Sequence, residues 1–315
     1  MSELARQVLA GDRRALARSI SLVEDDGPDL RELVAVLGAE TGQARIVGLT
    51  GSPGAGKSTL TSALVSVLRK DGLKVAILAI DPSSPFTGGA LLGDRLRMQE
   101  HATDEAVFIR SMATRGALGG LAVAVPHALR ILDAAGFDVI LLETVGVGQA
   151  EVEVANAADT TVVVLAPGMG DSVQANKAGI LEIADVFAVN KADKPEAKQT
   201  ERDIRHMLQL GHGDWLPPIE MVIAQDGTGV GSLWQRVDEH RDWASGSGEL
   251  ARRRLRRAAH EITELALANM RRNLGTLGEG AALDDLAEQV VRGSLDPYSA
   301  AEQLASASGD GPSKI

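Results

Sequence analysis

Gly51-Ser52-Pro53-Gly54-Ala55-Gly56-Lys57-Ser58 stands between an apolar run at 46–50 and a stretch of helical periodicity at 57–69. The spacing is G-x4-G-K-S, and a strand before it with a helix after it is the setting such a loop requires. Glycines let successive backbone N–H groups turn inward around a phosphate, and the helix N-terminus adds its positive pole. Gly51, Ser52, Pro53, Gly54, Ala55, Gly56 and Thr59 are therefore expected to line a phosphate site. Lys57 would reach the β- and γ-phosphates, and the Ser58 hydroxyl would ligate magnesium.

Outward from this loop, short apolar runs alternate with amphipathic stretches. Residues 46–50, 75–80, 107–109, 139–142, 161–166, 186–189 and 221–224 are predicted strands, and 57–69, 121–134 and 196–210 are predicted helices. The strands are nearly continuous in Val, Ile, Leu and Ala, as expected when helices cover both faces of a parallel sheet. The fold class expected is a doubly wound, mostly parallel α/β sheet of the P-loop NTPase type with helical extensions at both ends. The N-terminal extension is placed at 1–43, the nucleotide domain at 44–245 and a C-terminal helical segment at 246–315. Before the domain, Leu4, Val8, Leu9, Leu16, Ile20 and Val23 lie near helical spacing, and Asp25-Asp26-Gly27-Pro28 breaks the run. After it, Ser245-Gly246-Ser247-Gly248 marks the boundary. An apolar stripe then follows through Leu255, Ala259, Ile262, Ala266, Met270 and Leu274. The arginines Arg252, Arg253, Arg254, Arg256 and Arg257 are read as a solvated helix face near an interface.

Composition removes several classes of function. The 315 residues carry a net charge of −11 and only 3% aromatics. General nucleic-acid binding needs a basic face and stacking platforms, so no nucleic-acid partner is expected. The absence of cysteine excludes disulfides, thiolate nucleophiles and Cys-ligated metal. No run of about 18 apolar residues is present, so no membrane span is expected, and a cytoplasmic location follows as the plain expectation.

Asn190-Lys191-Ala192-Asp193 closes the strand at 186–189 and has the N-K-x-D pattern of guanine-specific sites. The Asp193 carboxylate would accept from guanine N1–H and the exocyclic amine, Lys191 would cover the base and Asn190 would brace the loop. Ile223, Ala224 and Gln225 would supply backbone N–H groups to the base oxygen. Glu143-Thr144-Val145-Gly146 follows the strand at 139–142, in the slot usually written D-x-x-G. Glu143 would hold magnesium directly or through water, and Gly146 would sense the γ-phosphate. Asp81 and Asp94 are further acidic candidates, although a small hard cation is held by few protein oxygens and all three carboxylates are not expected as direct ligands. Small signalling GTPases carry a Gln directly after that glycine to orient the attacking water. Here Val147 follows, and Gln149 is the nearest candidate, so slow intrinsic turnover is expected.

With these motifs, Asp81-Pro82-Ser83-Ser84-Pro85, Gly93-Asp94-Arg95-Leu96-Arg97-Met98, Met112-Ala113-Thr114-Arg115-Gly116 and Gly146-Val147-Gly148-Gln149 make the chain resemble the MeaB/ArgK family of methylmalonyl-CoA mutase-associated GTPases. The resemblance runs from about residue 10 to about 300. It implies GTP and GDP as ligands with magnesium, and a sheet of the SIMIBI type. It also implies a homodimer formed through C-terminal helices and a chaperone role toward an adenosylcobalamin-dependent mutase. The segment from Ala166 through Lys177 would be a switch facing nucleotide and partner. Two rivals remain. A nickel metallochaperone would need a His tract or Cys pair, which six scattered histidines do not supply. A small-molecule kinase, an older description of the same family, would use Lys57 and magnesium equally well.

Overall fold

The computed structural model describes residues 2–81, 99–101, 103–113, 120–144, 149–168, 182–209, 214–278 and 281–307. In chain order these form α1 (Glu3–Leu9), α2 (Arg13–Glu24), α3 (Leu30–Leu37), β1 (Arg45–Thr50), α4 (Lys57–Lys70), β2 (Val75–Asp81) and β3 (Val107–Ala113). Next come α5 (Gly120–Ala134), β4 (Val139–Thr144), α6 (Gln149–Ala157), β5 (Thr160–Leu165), β6 (Val186–Asn190), α7 (Ala197–Leu208) and β7 (Ile219–Val222). The chain ends in α8 (Val230–Gly246), α9 (Glu249–Gly278), α10 (Ala281–Val291) and α11 (Pro297–Ala307).

The strands make one seven-stranded sheet in the order β3-β2-β4-β1-β5-β6-β7, and every neighbouring pair is parallel. Alternation along each strand divides two main cores. Ile140 and Leu142 of β4 face the same core as α1, α2, α3 and α5. Val139 and Leu141 face the other, with α4 and α8. A smaller cluster around Phe187, Val189 and Ile204 seats α7. This is the doubly wound α/β fold with helices added at both ends.

The N-terminal run is two helices rather than one up to Val23. Ser2 caps α1, the chain turns at Gly11 with φ +75°, and Asp12 Oδ1 restarts α2 by accepting from Ala15 N–H at 2.7 Å. Two short capped helices expose more backbone ends than one long helix, and the side-chain caps answer them. Strand β3 runs on to Ala113, and β7 sits two residues earlier than its apolar run suggests. Ile223 N–H leaves the ladder to bond Thr228 O at 2.9 Å, which bends the chain out of the sheet.

The arginine face is solvated only in part: Arg252 and Arg256 are exposed, whereas Arg253, Arg254 and Arg257 are partly buried in ion pairs. Arg253 grips Asp185 through two bonds of 2.7 and 2.8 Å, while Arg254 and Arg257 each lie 2.9 Å from Asp159. Arg252 and Arg256 pair with Glu249. Asp159 and Asp185 are buried and immediately precede β5 and β6. The first two turns of α9 are thereby tied to the amino ends of two central strands. Contacts divide the chain into two compact units, Met1–Ala258 and Ala259–Ile315. The second holds the rest of α9 with α10 and α11, and it exposes Ile262 and Met270.

Burial alone would raise the Asp159 pKa, but hydrogen bonds and charge from Arg254 and Arg257 outweigh it and hold the carboxyl below its ordinary range. A depressed folded pKa contributes stability that is complete above the unfolded value, about 3.9, and lost as pH falls through the folded one. Asp159→Asn is expected to lower stability at neutral pH by about 2 kcal/mol, a figure reduced because both arginines are partly exposed. Urea titrations of the two proteins should converge below about pH 4; a constant gap down to pH 2 would contradict this account.

Candidate functional site

The site forms at the carboxyl ends of β1, β4 and β6, where an open parallel sheet places its ligands. Strand β1 ends at Thr50, and the chain turns at once into the glycine loop. Gly51, Gly54 and Gly56 have φ of +133°, +76° and +91°. A Cβ on Gly51 would lie 2.1 Å from Val164 O, and one on Gly56 would lie 2.3 Å from Asn190 Nδ2. Only glycine fits either position. Gly56 then leads directly into α4, which has no side-chain cap, so the first N–H groups of the helix face the loop.

Lys57 and Ser58 are the first two residues of α4, and both are buried. Lys57 Nζ donates to Gly51 O at 2.6 Å and Ser52 O at 3.1 Å, which holds the ammonium over the loop. Ser58 Oγ donates to Glu143 Oε1 at 2.5 Å. Glu143 reaches this place because β4 pairs with β1, with Leu49 opposite Glu143 in register. Its other oxygen, Oε2, accepts from Thr61 Oγ1 at 2.9 Å. Thr61 belongs to none of the sequence motifs, although it lies one turn beyond Ser58 on the same helix face.

On the base side, Asn190 ends β6 and is buried. Its Nδ2 donates to Ala55 O at 2.8 Å, and its Oδ1 accepts from Lys191 N–H at 2.8 Å and Ala224 N–H at 3.1 Å. One amide thus joins the glycine loop, the Asn190–Asp193 turn and the chain after β7. Lys191 takes φ +59°, rare for a residue with a Cβ. It lays its side chain across the opening, with Nζ donating to Gly54 O at 2.8 Å. Asp193 is exposed beside it, in a turn closed by Lys194 N–H to Lys191 O at 3.0 Å. Ile223 N–H and Ala224 N–H are both committed, to Thr228 O and Asn190 Oδ1. Of that trio Gln225, which is exposed, is the one whose N–H has no hydrogen-bond partner among the described residues.

Ser52, Pro53, Gly54, Ala55, Lys57, Ser58, Thr59, Glu143, Asn190, Lys191, Asp193 and Ala224 are thus all placed around the end of one sheet. Asp81 is the last residue of β2, opposite Ala113, and its side chain lies outside the described residues. Gln149 begins α6, and its side chain is likewise outside them. Asp94, Gly146 and most of the segment from Ala166 to Lys177 fall outside the described residues altogether.

The donor set suits the ligands implied by the motifs. Glycines at Gly51 and Gly56 leave no room for a Cβ and let the backbone turn as a phosphate-binding loop requires, although Ala55 N–H here donates to Ser52 O at 3.2 Å. A serine hydroxyl and a buried carboxylate at its rim are hard oxygen donors of the kind magnesium takes alongside phosphate and water.

Comparison with known proteins agrees. The profile of a family described as methylmalonyl Co-A mutase-associated GTPase MeaB matches residues 16–276. A protein of Pyrococcus abyssi is 47% identical over 309 residues, 96% of this chain and 95% of its own. The mouse methylmalonic aciduria type A homolog, mitochondrial, is 34% identical over 318 residues, 94% of this chain and 77% of its own. The crystal structure of an LAO/AO transport system kinase superposes with a TM-score of 0.72 at 26% identity, with 96% of each chain covered.

Proposed function

The chain belongs to the methylmalonyl-CoA mutase-associated GTPase family, and from that premise we propose that its GTP cycle gates cobalamin loading of an adenosylcobalamin-dependent methylmalonyl-CoA mutase and protects that enzyme from inactivation. Hydrolysis of GTP to GDP and phosphate is the activity of the family. The observation that carries the nucleotide reading is the Asn190 amide, which fastens the base-side turn to the glycine loop.

In this reading backbone N–H groups of the loop and of the first turn of α4 hold the phosphates, with Ala55 N–H released from Ser52 O, and Lys57 turns from its loop carbonyls to the β- and γ-phosphates. Ser58, with Glu143 behind it, holds magnesium. Held by these two residues, magnesium would supply positive charge against the phosphate oxygens. Asp193 accepts from the guanine edge, and the Lys191 stem covers one face of the base. The backbone N–H of Gln225 donates to the base oxygen in this reading, supported by its exposure and its lack of a hydrogen-bond acceptor among the described residues. Gln149 is the candidate for orienting the attacking water. Because it stands two residues beyond the usual position, turnover of the isolated protein is slow and rises with a partner or second subunit. Ile262 and Met270 are exposed along α9 in the second unit and supply apolar surface for a homodimer.

The mutase role is supported by the family description and by the mouse relative. A kinase reading has one observation in its favour, the likeness to a solved structure described as a transport system kinase. Calorimetry with magnesium should show GDP binding at least about 100-fold tighter than ADP, because adenine lacks the N1–H donor and leaves the carboxylate acceptor unpaired. Inorganic phosphate should be released from GTP with no organic acceptor, faster when the mutase is added. Equal GDP and ADP affinities would bring the kinase reading forward, and a rate indifferent to the mutase would remove the chaperone role.

A further inference from the structure

Thr61 sits one turn into α4, fully buried, and its hydroxyl has two acceptors in range. Lys57 O lies 3.0 Å away and Glu143 Oε2 lies 2.9 Å away. A hydroxyl carries one proton. In a regular helix the Lys57 carbonyl already receives the N–H of residue 61. The carboxylate, being charged, is the stronger acceptor. The proton therefore belongs on the bond to Glu143 Oε2.

This leaves Glu143 held at both oxygens by the same helix, Oε1 by Ser58 and Oε2 by Thr61. Ser58 and Thr61 are three residues apart, so both anchors share one face of α4 and move together with the glycine loop. With Oε2 fixed, the carboxylate does not turn about its last torsion, and Oε1 stays aimed at the Ser58 hydroxyl. We infer that Thr61 is a positioning residue for magnesium: it touches neither nucleotide nor ion, and it fixes the rotation of Glu143 so that the serine–carboxylate pair is already arranged when the cation arrives. The inference rests on the magnesium reading of Ser58 and Glu143 given above.

The test is the GDP dissociation constant with EDTA and with excess magnesium, taken by calorimetry on the full chain, and the ratio of the two values. Thr61→Val keeps the shape and removes the proton. Its ratio is expected to fall about 10-fold below that of the unaltered protein, the usual scale for losing a partner that orients a metal ligand. Its GDP affinity in EDTA should be unchanged. Thr61→Ser keeps the hydroxyl and should retain the ratio within about 2-fold, far inside the change expected when an orienting partner is lost. Should the valine variant not fold, Thr61→Ala gives the same comparison.

An unaltered protein with a ratio of one would remove the magnesium reading and the inference with it. A ratio above one that Thr61→Val leaves intact would overturn the inference alone. So would an equal loss of affinity with and without magnesium, since that is what a purely structural threonine would show.

Discussion

Asp193→Ala should weaken GDP binding about 1000-fold while leaving the fold as stable as before. The carboxylate would accept two hydrogen bonds from guanine, and a bond to a charged group contributes roughly 2 kcal/mol. Losing both therefore removes about 4 kcal/mol of affinity. The side chain is exposed and has no hydrogen bond or ion pair with any described residue. Its turn is closed by backbone bonds, from Lys194 N–H to Lys191 O and from Ala192 N–H to Val222 O at 3.1 Å. Exposed substitutions of this kind stay within about 0.5 kcal/mol. Calorimetry and thermal unfolding on the same preparation check both halves. A variant that binds GDP normally would show that the Asn190–Asp193 turn does not read the base. A variant that unfolds early would mean that Asp193 supports the turn itself.

Gly51→Ala should do the reverse and strike the fold first. The new methyl would meet Val164 O at 2.1 Å. Val164 is the next-to-last residue of β5 and pairs with Ala188 of β6, so the carbonyl withdraws only by shifting paired strand backbone. Backbone strain at φ +133° adds to the collision. Strain of this type costs roughly 1–3 kcal/mol and overpacking a similar amount, so a loss of about 4 kcal/mol is expected. The Gly51 carbonyl also accepts from Lys57 Nζ, so any relief of the clash displaces the lysine from the phosphate site. Urea unfolding gives the number directly. A loss under about 1 kcal/mol would show that the loop yields where the sheet does not.

Much of this architecture is legible in the residues because the signals are local. The glycine loop, the continuous apolar strands and the N-K-x-D turn are each read within a few positions. The sheet edge at β7 is not, since the departure of the chain at Ile223 depends on a bond to Thr228 that apolar content does not reveal. The arginine run misleads for a similar reason. A cluster of like charges on a helix usually faces water. Nothing near Arg253 and Arg254 announces partners at Asp185 and Asp159, 68 and 95 positions away. Glu143 stands out because a carboxylate after an apolar strand is a known pattern, whereas Thr61 looks like one more small residue in a helix.

The ion pairs at the start of α9 also decide where the chain may be cut. A fragment ending at the Ser245–Gly248 stretch keeps every strand of the sheet. It nevertheless leaves Asp159 and Asp185 buried without Arg253, Arg254 and Arg257, an arrangement costly enough to threaten solubility. The shortest catalytic piece worth expressing therefore runs beyond Arg257 and carries the opening turns of the C-terminal helix with it.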